Sequence, residues 1–81
     1  MNLYLLKQDA NMDWDTYDSA IVCAESEEEA IKIHPNGDVF NGEWKWNNNW
    51  AKNPSQVRCQ KIGVADGSVE KGVVLASFNA G

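Results

Sequence analysis

Positive charge is scarce in this chain: seven lysines and arginines stand against twelve acidic side chains, for a formal charge of −5. The seven (Lys7, Lys32, Lys45, Lys52, Arg58, Lys61 and Lys71) are scattered. A phosphate backbone is held by clustered cations, so nucleic acid is disfavoured as a partner, whereas a small phosphorylated ligand is not. Cysteine is also sparse. Cys23 and Cys59 lie inside apolar runs with no CxxC spacing, which predicts reduced thiols, with a cross-strand disulfide as the alternative, and argues against a metal site or cofactor. No run approaches the roughly 18 apolar residues of a membrane span. MNLYLLKQDA lacks the basic start and cleavage site of a signal peptide, so the expected location is cytosolic.

Eighty-one residues, 43% of them apolar, suffice for one small core and one domain over 1–81. Domains of this size are marginal without a disulfide or metal. Association is a common remedy, and a homo-oligomer, most simply a dimer, is expected.

The β-favouring run LYLL (3–6) predicts a first strand and SAIVCA (19–24) a second. ESEEEAIKIHPNG then carries the clearest local signal. Ser26 is placed to accept from the Glu29 N–H while the Glu29 side chain reaches back, a capping box. Glu27, Glu28 and Glu29 suit the positive end of the helix dipole, and Lys32 and His34 its negative end. Pro35 and Asn36–Gly37 stop the helix, and Ala30 and Ile33 face inward. VRCQKIGVA (57–65) alternates, with Val57, Cys59 and Lys61 on one face. GVVLASFNAG (72–81) reads as a buried strand. Together these predict an α+β fold: a small, mainly antiparallel sheet of about four strands, one short helix packed on it, and a long Trp/Asn-rich loop over 38–56.

Few chemical motifs survive scrutiny. Asp9, Asn11 and Asp13 open like an EF-hand loop, but Trp14 replaces the turn glycine and Ala20 the closing glutamate. Asp13–Trp14–Asp15–Thr16 resembles the DxDxT box of aspartate-nucleophile phosphatases, but that box belongs at a strand end of a much larger α/β domain, and the reading is rejected. His34 has no nucleophile beside it in sequence, and Cys23 has no electropositive neighbour to activate it. No catalytic residue is therefore assigned, and the chain reads as a binding protein rather than an enzyme; a nucleotide hydrolase using His34 is the weaker alternative.

EWKWNNNW (43–50) places three tryptophans among three asparagines. Such rings either supply core volume or stack on a ligand. The expected division puts Trp46 inward, with Trp44 and Trp50 lining a site together with Asn48. Trp14, Asp15, Tyr17 and Asp18 from the acidic loop join that site, and Arg58 serves any phosphate.

Asp15–Thr16–Tyr17–Asp18–Ser19, Ser26 to Pro35 and Ala76 to Gly81 resemble the corresponding parts of small uncharacterised proteins encoded by bacteriophages and prophages. Trp14 stands where that pattern carries tyrosine. The likeness spans nearly the whole chain and implies a phage accessory protein of the host cytosol. Such proteins often counter host defence. Two functions are then expected: sequestration of a small nucleotide-derived signal in an aromatic-lined pocket, or, alternatively, acidic inhibition of a host protein by docking on it.

Overall fold

The computed structural model describes residues 1–12, 14–44 and 49–79. Four strands, β1 (Asn2–Lys7), β2 (Thr16–Ala24), β3 (Arg58–Val64) and β4 (Gly72–Asn79), form one antiparallel sheet in the order β3-β1-β2-β4. The first hairpin thus supplies both central strands, and the C-terminal half supplies both edges. Because β3 and β4 lie at opposite edges, the segment joining them crosses the end of the sheet. Its Ala65 N–H donates to the Met1 carbonyl at 3.0 Å.

Strand alternation assigns the faces. Tyr4 and Leu6 of β1, with Ala20, Val22 and Ala24 of β2, are buried and point to the covered side. Helix α1 (Glu27–Ala30) and the segment up to Val57 pack there, contributing Ala30, Ile33, Trp44, Trp50 and Ala51 to the core. The expected face of β3 is observed, since Val57 is buried and Cys59 packs against the core while Arg58 and Gln60 are exposed. A free thiol is retained at both cysteines.

The helix is shorter than expected. Ser26 Oγ accepts from the Glu29 N–H at 3.2 Å, but Glu29 Oε1 accepts from the Glu25 N–H at 3.1 Å, one residue beyond the partner a capping box would use. The Glu25 bond is the main reason the Glu29 carboxyl is held below its ordinary pKa. After one turn the chain leaves the helix, and Ile33 forms an isolated bridge with Val39. The reversal between them uses Gly37 at φ +99°, a conformation that glycine adopts without strain. Lys32 and His34 therefore do not stand in a last helical turn, and the dipole argument made for them fails.

Strand β4 also departs from expectation. Read as buried, it instead exposes Val74 (49%), Leu75 (65%) and Phe78 (46%). It is an edge strand, and the sheet is covered on one face only. Among the described residues no helix is long and apolar enough to cross a membrane.

Candidate functional site

Gln8 continues the inward phase of Tyr4 and Leu6, so its amide enters the structure instead of solvent and is only 3% exposed. Its Nε2 donates to the carbonyls of Asn11 (2.7 Å) and Tyr17 (2.9 Å), and its Oε1 accepts from the Asn11 N–H at 2.8 Å. One buried side chain thus satisfies three backbone groups and pins the β1–β2 loop. Further bonds tie the loop to its neighbours. The Asp15 N–H donates to the Asn79 carbonyl and the Tyr17 N–H to that of Asn49, each at 2.8 Å, and Asn11 Nδ2 donates to the Trp50 carbonyl at 3.4 Å.

The loop carries two conformational signatures. Asp15 has φ +60°, a left-handed conformation that aspartate tolerates better than most residues. Asp18 is the extra residue of a β-bulge where Tyr17 pairs with Phe78 and Ser19 with Ser77. A bulge of this kind re-aims the side chains around it. Tyr17 accordingly packs edge-on against Phe78, with ring centroids 4.8 Å apart.

The result is a held loop that displays Trp14, 74% exposed, and Met12, 67% exposed. Asp9, Asp15 and Asp18 are exposed around them. Trp14, Asp15, Tyr17 and Asp18 are thus gathered at one end of the sheet. Arg58 lies at the same end, opposite Lys7 in the register, and its guanidinium is 3.7 Å from Asp9 in an exposed pair. In water such a pair contributes little.

Trp44 and Trp50 do not join that surface. They are 2% and 0% exposed, and both belong to the core. The expectation that they present ring faces to a ligand is corrected: one side of the sheet must be filled by a helix of four residues, and the two indoles provide the volume the helix cannot. Trp44 also satisfies its ring N–H, donating to the Lys32 carbonyl at 3.2 Å. Asn48 and the inward-facing role given to Trp46 lie outside the described residues. So does Asp13, the third member of the calcium-like triplet.

His34 is fully buried, with its ring centroid 5.6 Å from that of Trp44 and 6.1 Å from that of Tyr17. Its Nδ1 accepts from the Asn36 N–H at 3.0 Å, which places the ring proton on Nε2. Burial pushes its pKa below the ordinary value, while Asp38 and the Asn49 side chain act in the opposite sense. Nε2 of His34, Oδ1 of Asn49 and Nε1 of Trp50 are buried with no well-formed hydrogen bond among the described residues. Cys59 is likewise desolvated, and burial, aided by Glu27, pushes its thiol up to about 11.

Sequence reasoning missed Gln8. Its signal was the period-two phase of the first strand, which places residue 8 on the same face as residues 4 and 6. No family model, no curated protein and no solved structure matches the chain.

Proposed function

We propose that this chain is a non-enzymatic docking protein whose β1–β2 loop binds a basic surface on another protein. The observation that carries the reading is the exposure of Trp14 on a loop fixed from beneath by Gln8. A large ring held ready for contact loses little conformational freedom on binding, and tryptophan is prominent among interface hot spots. Asp9, Asp15 and Asp18 around it supply a rim of the sign that speeds encounter with a cationic partner. The Trp/Asn-rich segment serves this reading indirectly, since the Asn49 and Trp50 carbonyls accept from Tyr17 and Asn11 of the loop. If the resemblance to phage accessory proteins holds, the partner is a host defence protein.

Capture of a nucleotide-derived signal is the second reading. It now rests on Trp14, Tyr17 and Asp18, which lie together, with Arg58 at the same sheet end for a phosphate. The two readings separate in one experiment: affinity capture from bacterial lysate with the wild type and Trp14→Ala side by side. Docking predicts a stoichiometric protein retained by the wild type, lost in the variant and weakened by salt. A co-purifying small molecule with nucleotide absorbance, and no protein, would favour the second reading and overturn the first.

A further inference from the structure

Asn49 and Trp50 serve two parts of the molecule at once. Their carbonyls hold the β1–β2 loop, accepting from the Tyr17 N–H at 2.8 Å and from Asn11 Nδ2 at 3.4 Å. Their side chains meet His34. The Trp50 ring centroid lies 6.2 Å from that of the imidazole, and the Asn49 side chain favours the charged form of the ring. Tyr17, where the loop joins β2, also touches His34, edge-on at 6.1 Å. His34 therefore sits beneath the groups that hold the loop, in a site walled by the rings of Tyr17, Trp44 and Trp50. Asn49 is the weak point of that wall: it is only half-buried, whereas Trp44 and Trp50 are fully buried. Its Oδ1 and His34 Nε2 both lack a well-formed hydrogen bond.

We infer that His34 is a proton-sensitive latch for the β1–β2 loop: neutral, it lets Asn49 close over the ring and hold Tyr17; protonated, it drives Asn49 away and frees that end of the loop. The hydrogen bonding of the ring gives the reason. Nε2 already carries a proton, so a second must go to Nδ1, and Nδ1 is engaged in accepting from the Asn36 N–H at 3.0 Å. Two N–H groups would then face each other. The charge also arrives in a closed aromatic site, where desolvation penalises it. Among the described residues the titratable groups set against His34 are Tyr17 from β2, through its ring, and Asp38 from the reversal that follows the helix, whose carboxylate favours the charged form as the Asn49 side chain does. Trp44, Asn49 and Trp50 bring no charge. Burial outweighs both favourable partners. Water relieves the charge, and displacing the half-buried Asn49 admits water with less loss of packing than displacing either indole. The Tyr17 N–H then loses its acceptor. The latch acts on the loop itself, whatever the loop binds.

Native-state hydrogen exchange, read by nuclear magnetic resonance as protection factors from pH 7.5 to 5.0, tests this on the wild type. The Tyr17 N–H reports the latch. The Leu5 N–H of central strand β1 reports global unfolding, and the Ala65 N–H, bonded to the Met1 carbonyl at the other end of the sheet, reports an opening remote from His34. Tyr17 should be less protected than Leu5, and its protection should fall by up to about tenfold per pH unit below about 6.5, levelling off beneath the lowered folded pKa. Ala65 should stay level. His34→Phe keeps a ring that takes no proton and should flatten the Tyr17 profile. Tyr17 protection equal to that of Leu5 at every pH overturns the inference, as does a lower protection that ignores pH or a fall that persists in His34→Phe. Should His34→Phe fail to fold, Asn49→Ala takes its place: it keeps the carbonyl that holds Tyr17 but uncovers the ring, so the Tyr17 profile should again flatten, and an unchanged profile overturns the inference. The capture experiment with Trp14→Ala, run at neutral pH, stands or falls separately.

Discussion

Replacing Trp50 by alanine should come close to unfolding the protein. The residue is 0% exposed and is the largest fully buried side chain among the described residues. Removing about 200 Å² of ring from the core at about 25 cal/mol per Å² forfeits roughly 5 kcal/mol, and measured large-to-alanine changes of this kind run about 3–5 kcal/mol. For a chain of this length, at about 0.05–0.15 kcal/mol per residue, total stability is about 4–12 kcal/mol. A loss of about 4 kcal/mol should lower the melting temperature by about 16–32 °C. Trp50→Phe should lose less than half as much. Phenylalanine keeps most of the apolar volume and removes the indole N–H that is buried without a hydrogen bond, an arrangement that itself costs about 1–3 kcal/mol. Trp14→Ala provides the contrast, since a 74% exposed ring should change stability by no more than about 0.5 kcal/mol. Thermal melts followed by far-ultraviolet dichroism measure all three. A Trp50→Ala melt within a few degrees of wild type, or a Trp14→Ala loss as large as that of Trp50→Ala, would refute this division of the tryptophans.

His34 should make stability fall in mild acid. Its folded pKa is depressed by burial, so its contribution is intact above the unfolded value near 6.5 and declines as pH drops through the lowered folded value; urea midpoints at pH 7.5 and 5.5 should differ in the wild type by more than in His34→Phe. Gln8→Ala should cost about 1–3 kcal/mol by stranding the three backbone groups it satisfies, and hydrogen exchange should quicken at Asn11, whose N–H loses its acceptor. Ser26→Ala should cost about 1 kcal/mol through loss of the helix cap, read as a lower urea midpoint with unchanged slope. Cys59, with its thiol pushed up to about 11, should react with a disulfide reagent at pH 8 far more slowly than free cysteine, and denaturant should abolish the difference.

Local interactions were the legible part of this sequence. Ser26 and Glu29 announced the helix start because a cap is set within four residues. The alternation of Val57, Cys59 and Arg58 announced the orientation of β3. Helix length was not legible: Ala30 to Ile33 carry an acceptable helical pattern, and only the tertiary bridge of Ile33 with Val39 shows why the chain turns away. Trp44 and Trp50 were misread because asparagine neighbours signal irregular backbone, and irregular backbone was taken as exposed. In a domain with so small a helix the irregular segment is itself a core layer. His34 was misplaced by the same extrapolated helix. Within the candidate site, Trp14, Asp15, Tyr17 and Asp18 were found together because they are adjacent in sequence. Gln8 was passed over because a polar residue after a lysine reads as the end of a strand.

The sheet order β3-β1-β2-β4 also governs how the chain meets water during its own synthesis. The hairpin of β1 and β2 leaves the ribosome first, with both faces apolar and both edges unpaired. Its flanking strands come only from residues 58–79, after the segment that holds the buried tryptophans. Until then the hairpin has no native partner on either side, and an isolated two-stranded sheet is marginal in water. Folding must therefore wait for the C-terminal strands, which close the two edges from opposite directions. A truncation before β4 would leave not a smaller version of the protein but an unfinished sheet open to pairing with any strand it encounters.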